Sequence, residues 1–212
     1  WLESVGVKFG ANLNAYTSTD ETVYNICQVP TTRQSTLDSC LLILRDWSCG
    51  LTLDPKEIDK ERGVVKGEWR QRNGNAMTRL LEKSLPAVYA GSRYGERMPI
   101  GKMEVVENFS PRVLRDFYEK WQSPENQAIV IVGDFNPKEM ETMLRSRFAS
   151  IKPGSKAMKT PVYTVPDNER IIASVASDPE LQNASIQLFI KHPDLESGDK
   201  ATIDLLRERY IM

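Results

Sequence analysis

Three glutamates and one histidine pose the chemical question. Glu57, Glu61 and Glu68 are spaced by four and then seven residues in a stretch of helical character. On an α-helix those offsets keep all three near one face. Carboxylates arranged in this way can ligate a metal, support a ligand, or form a solvated acidic surface. At 1.5 Å of rise per residue, Glu61 and Glu68 stand about 10 Å apart along the axis, so they cannot hold one ion unaided. One can serve as a ligand while the other supports it through hydrogen bonds. The plainer alternative has Glu57 capping the helix and Glu61 pairing with Arg62 or Lys66. The single histidine, His192, precedes Pro193 far along the chain and reads as a surface turn residue. Cys27, Cys40 and Cys49 are odd in number and irregular in spacing, so they form neither a disulfide framework nor a CxxC metal pattern. They read as free thiols, buried or half-buried.

The elements that would position these groups follow from periodicity and punctuation. Residues 6–30 read as a hairpin, with Val7, Phe9, Tyr16, Val23, Tyr24 and Ile26 as strand formers around the turn cluster Ser18, Thr19 and Asp20. Residues 31–49 read as a helix striped by Leu37, Leu41, Leu44 and Trp47, stopped at Gly50. Asp54, Pro55 and Glu57 make a strong helix start, with Glu57 at the capping-box position. That pattern runs to about Lys83, with a break at Asn73, Gly74 and Asn75 and an end at Ser84, Leu85 and Pro86. Residues 88–108 read as a loop-rich connection. Helices are expected from Ser110 to Trp121 and from Asn136 to Phe148. Ala128 to Val132 reads as a buried strand. Residues 152–168 read as a linker, followed by strands at 170–177 and 185–191 and a helix from about Asp199. Hairpins with helices grouped between them, and no regular βαβ alternation, define an α+β class.

Bulk properties exclude several functions. With 40% apolar and 27% charged residues, the 212-residue chain can bury a core of its own. Its 28 basic and 29 acidic residues are interspersed, so nothing marks a nucleic-acid or anionic-membrane partner. No apolar run approaches the roughly 20 residues of a membrane span. The ends, Trp1 and Met212, both read as cuts in a longer polypeptide. Trp47, Trp69 and Trp121 are expected as core or partly buried anchors. Arg93, Tyr94, Arg97 and Met98 are expected to pack a loop.

Two motifs together resemble the pitrilysin-like (M16) zinc metallopeptidases. Phe9 to Ser18, then Glu21 to Tyr24, are similar to the family's active-site strand and its return strand. Asp59 to Glu68 resembles its E-R-x-V-x-x-E helix. The segments around Gly95, Pro99 to Gly101, Val106 to Asn108, Phe117 to Trp121, and Val132 to Asp134 match as well. The implied fold is an antiparallel sheet packed with helices, as in pitrilysin and the mitochondrial processing peptidase. It implies a truncated N-terminal peptidase domain over 1–151, a linker over 152–168, and the start of a second domain over 169–212.

The resemblance also implies a site. In the family two histidines of an inverted H-x-x-E-H motif and a later glutamate hold zinc. Glu68 matches that glutamate ligand and Glu61 the carboxylate that supports it. The histidine motif is absent from these residues and is expected upstream of Trp1. Catalytic zinc keeps three protein ligands and an open position for water, which it acidifies. One carboxylate cannot do this, so the chain alone is expected to bind no catalytic zinc and to hydrolyse nothing. Asn14, Ala15, Tyr16 and Thr17 match the edge strand on which a peptide or unfolded protein segment adds as a further strand. A second lobe, in the same or a partner chain, would complete the chamber. The resemblance is nearest to bacterial envelope-associated members, which implies a periplasmic or membrane-anchored parent. Two other readings are a non-catalytic M16-like partner or peptide-binding subunit, and an unrelated α+β binding domain. Retention of both Glu61 and Glu68 favours the peptidase over the first of these, and the reach of the motifs tells against the second.

Overall fold

Strand formers alternate across Leu13–Thr17 and Thr22–Ile26, and these segments pair as an antiparallel hairpin, β1 and β2, in register from Leu13 opposite Ile26 to Thr17 opposite Thr22. The expected turn cluster closes it: the Ser18 N–H donates to the Glu21 carbonyl at 2.9 Å. The computed structural model describes residues 3–8, 10–152, 158, 161, 163–191, 202 and 203. Among these, β1 and β2 are the only paired strands. The hairpin is shorter than expected because Val7, although fully buried, lies outside it in the loop that leads into β1.

Helix α1 spans Gln34–Cys49. Its buried residues are Thr36, Cys40 and Leu41. The anticipated stripe of Leu37, Leu44 and Trp47 is half-buried, and the Trp47 ring lies 5.6 Å from that of Tyr24 on β2. Helix α2 spans Pro55–Asn73, with Asp54 accepting from the Lys56 N–H at 2.7 Å. Proline at the first position forgoes an N–H that would have no partner there. After a break at residues 74–75, α3 spans Ala76–Val88. It overruns the expected stop at Pro86. So near the helix end proline removes only one intrahelical bond, and the Tyr89 N–H still reaches the Leu85 carbonyl at 2.9 Å.

The connection read as loop contains a short helix, α4, at Met103–Asn108. Helices α5, Pro111–Trp121, and α6, Pro137–Phe148, fall where expected, and Asn136 caps α6 by accepting from the Lys138 N–H at 3.0 Å.

Three expected strands do not form. Residues 128–132, 170–177 and 185–191 carry no ladder, and Val130 and Val132 are 83% and 91% exposed rather than buried. Their apolar, β-branched composition suits a strand, but a strand needs a hydrogen-bonding neighbour, and none is present among the described residues. His192 and almost all of the helix expected from about Asp199 lie outside the described residues.

The chain divides into two compact units. The first comprises Trp1–Asn75 and Glu96–Tyr163 and contains the hairpin, α1, α2, α4, α5 and α6. In it α1 packs on α6, where the Arg147 Nε donates to Asp38 at 2.8 Å and the Arg45 Nε donates to the Arg147 carbonyl at 3.1 Å. The second comprises Ala76–Gly95 and Thr164–Met212. In it Arg79 on α3 forks onto both oxygens of the buried Asp178, each at 2.7 Å, and reaches Glu180 at 2.9 Å. Gly91 has a positive φ and faces Pro166 so closely that a Cβ there would lie 2.8 Å from its ring.

Candidate functional site

The acidic helix is held along one flank and open along the next. Arg62 is its anchor. Its side chain is only 15% exposed and donates to Asp59 at 3.0 Å, to the Val106 carbonyl, and to the Phe109 carbonyl at 2.6 Å. Its guanidinium also lies 4.0 Å from the centre of the Phe109 ring. One turn on, Lys66 pairs with Glu107 at 2.6 Å, and that lysine holds the Glu107 carboxyl below its ordinary pKa. These contacts dock α2 on α4.

At about 100° per residue, Glu61 and Glu68 differ by only about 20° around the axis, while Arg62 and Lys66 sit about 100° and 140° away. Clamping Arg62 and Lys66 therefore leaves Glu61 and Glu68 on a neighbouring face, and both are exposed. The simple pairing considered from sequence is not what forms. Arg62 and Lys66 are taken by α4 and its flank, and Glu57 pairs with Lys60 at 2.5 Å instead of completing a capping box. Glu68 is steadied by Arg72 one turn later at 2.7 Å.

The start of α2 is fixed from α5. Leu53, just before the cap, adopts a left-handed φ of 48°, which costs a residue bearing a Cβ about 1–2 kcal/mol. Its carbonyl accepts from Arg115 at 3.1 Å. The Tyr118 hydroxyl accepts from the Leu51 N–H at 3.4 Å and donates to the Trp47 carbonyl at 2.8 Å, and burial raises its pKa. No sequence signal marked Arg115 or Tyr118 for this role, because each acts on a carbonyl or amide more than 60 residues away.

The strand residues lie together on β1. Asn14, Ala15, Tyr16 and Thr17 are all exposed. The ladder's parity can be read from its ends. The Cys27 N–H donates to the Asn12 carbonyl at 2.7 Å, and the Ser18 N–H donates to the Glu21 carbonyl. Directly opposed residues alternate between bonded and non-bonded pairs. Asn14 and Tyr16 therefore bond to β2, while Leu13, Ala15 and Thr17 turn their N–H and C=O groups to the outer edge. Buried Asn12 fixes the base of the hairpin by accepting from the Lys8 N–H at 3.0 Å and donating to Gln28 at 2.6 Å.

The donor set decides what metal chemistry these residues can support. Among the described residues no group of three or more His, Cys, Asp and Glu side chains is placed to hold a metal ion. Glu68 offers one carboxylate. That does not fit a catalytic zinc centre, which takes three protein ligands. The structure brings the two glutamates together on α2 and the four strand residues together on β1, each element held by its own neighbour. Also among the described residues, no helix is long and apolar enough to cross a membrane.

Hairpin, acidic helix and α+β scaffold coincide with one family. Residues 2–98 match the model described as Insulinase (Peptidase family M16), and residues 108–208 match that described as Peptidase M16 inactive domain. The chain belongs to the M16, pitrilysin-like peptidase family.

Among its relatives is the probable zinc protease PqqL of Escherichia coli, 33% identical over 199 residues, which cover 94% of this chain and 21% of that protein. The probable zinc protease PqqL of Haemophilus influenzae is 36% identical over 155 residues, covering 73% of this chain and 16% of that protein. The crystal structure of the first half of the periplasmic protease PqqL from Escherichia coli superposes with a TM-score of 0.73 at 36% identity, covering 79% of this chain and 35% of that one. The chain thus spans about a fifth or less of the length of these two curated relatives. All six candidate residues fall within the segment matching the peptidase model rather than the inactive-domain model.

Proposed function

We propose that this chain is part of a zinc-dependent metalloendopeptidase acting on peptides or unfolded protein segments. In this reading Glu68 supplies one carboxylate ligand, Glu61 supports it, and Asn14, Ala15, Tyr16 and Thr17 form the edge on which the substrate strand adds. The remaining ligands come from outside these 212 residues, from an H-x-x-E-H motif upstream, and a second lobe closes the chamber. The domain division at 1–151, 152–168 and 169–212 belongs to the same proposal, as does a periplasmic or cell-envelope setting. The names of the PqqL relatives support zinc and protease, and one is described as periplasmic. The observation that carries the reading is the pair Glu61 and Glu68, presented on one exposed face while Arg62 and Lys66 are drawn off to other partners.

The test has two arms. Calorimetric titration of the 212-residue chain with zinc should give no tight stoichiometric site, since one carboxylate cannot make one. The longer protein that contains this chain should carry about one zinc per site by elemental analysis and cleave a casein-derived peptide. Glu68→Gln in that protein should lose most of its zinc and its cleavage without a change in helix content. Full zinc occupancy in Glu68→Gln would remove Glu68 from the ligand set. Cleavage that survives complete removal of zinc would end the metallopeptidase reading.

A further inference from the structure

The outer edge of β1 is not open along its whole length. Parity turns the backbone groups of Leu13, Ala15 and Thr17 outward. Leu13 is already occupied: its N–H donates to the Lys8 carbonyl at 3.3 Å and its carbonyl accepts from the Gly10 N–H at 3.0 Å. Gly10 makes this fold-back with a φ of 79°, a region open to glycine at little cost. Ala15 is occupied in a different way. Its N–H donates to the Oδ1 of Asn14, its own neighbour, at 2.8 Å. Leu13's partners, the Lys8 carbonyl and the Gly10 N–H, belong to the loop's backbone, which cannot be withdrawn without unfolding the turn. The Asn14 amide sits on an exposed side chain and can rotate away.

We infer that Asn14 is a latch on this edge, its side chain holding the Ala15 N–H that an added strand must take. An incoming extended peptide displaces the amide and then pairs through Ala15 and Thr17, the two outward positions left free by the Lys8 to Gly10 loop. The latch has a second consequence. An edge strand with bare N–H groups invites pairing with other chains, and a side-chain acceptor on Ala15 shields the central donor of the edge until a strand competes for it. The inference rests on the strand-addition reading of β1 but adds a residue, a register and an order of events.

Amide hydrogen exchange on the intact 212-residue chain, resolved residue by residue by NMR, tests it. Protection is taken relative to each amide's intrinsic rate. Asn14→Ala should lower Ala15 protection about fivefold, the size of one net hydrogen bond, and leave Tyr16 unchanged. Asn14→Asp keeps an acceptor at the same place and should retain it. A soluble peptide of alternating Thr, Val and Lys should then protect Ala15 and Thr17 in both the original chain and Asn14→Ala. If the peptide protects both amides but Ala15 protection is the same with and without Asn14, the latch is wrong and strand addition stands. If protection instead appears at Leu13 or Tyr16, the register is wrong. If no amide of β1 responds to the peptide, the strand-addition reading fails, and the latch with it.

Discussion

Stability measurements can tell Glu68, the proposed ligand, from a residue kept for stability. Among the described residues Glu68 pairs with Arg72, an exposed pair one turn apart. Such pairs contribute about 0.3–0.5 kcal/mol. Glu68→Gln should therefore shift urea unfolding of the chain by no more than that. A loss above about 2 kcal/mol, outside the usual range of a surface change, would show Glu68 to be structural and weaken its proposed role as a ligand. Glu61 was legible in the sequence as a partner of Glu68 on one face, because helical periodicity depends on spacing alone. Its freedom from Arg62 and Lys66 was not legible. Both cations have nearer sequence neighbours among the acids, and only the folded chain shows them reaching Val106, Glu107 and Phe109.

Helix α4 shows how one element completes another. At six residues it is far too short to be stable alone. Its last carbonyls have no intrahelical partners, and Arg62 supplies donors to Val106 within it and to Phe109 just beyond. This explains why the sequence read as loop there: the helix depends on a guanidinium more than 40 residues upstream. Arg62→Ala should cost about 2–3 kcal/mol, the worth of charge-assisted bonds lost from a half-buried site. Arg62→Lys should recover only part of it, since an ammonium lacks the planar fork that serves two carbonyls at once. Thermal melts followed by circular dichroism check both. Equal stability of Arg62→Ala and the original chain would deny the clamp between α2 and α4.

At the scale of the whole molecule, charge and exposed apolar surface set behaviour in solution. The Arg79 guanidinium holds the Asp178 carboxyl down to about 2 from an ordinary 3.8. The depressed pKa belongs to the folded state. Its stabilisation is therefore complete above the unfolded value near 4, and drains away as the pH falls from about 4 toward 2. Asp38 beside Arg147 and Glu107 beside Lys66 shift in the same direction and add to the same acid limb. Asp178→Asn should flatten part of that limb in melting temperature against pH. An unchanged profile would show that the pair with Arg79 is not coupled to folding. Val130, Val132, Ile186, Leu188 and Ile190 are exposed in apolar, β-branched segments that form neither helix nor strand. Segments of that kind pair edge to edge with other chains. The double change Ile186→Lys and Leu188→Lys should raise the concentration at which light scattering first reports association. No change would show that other surfaces drive it.

Those same segments mark the boundary between what the sequence by itself determined and what only the tertiary structure decided. The sequence determined the α+β class, the hairpin turn, the capped starts of α2 and α6, and the shared face of Glu61 and Glu68. Each is set within a few residues by periodicity, capping chemistry and turn residues. The tertiary structure decided that residues 128–132, 170–177 and 185–191 form no ladder among the described residues, that α3 continues past Pro86, that α4 exists, and that Asn14 turns back on Ala15. A strand is made by its neighbour, a short helix by whatever satisfies its ends, and an edge by the parity of its ladder. For α4 that partner, Arg62, lies more than 40 residues away, where no local pattern records it.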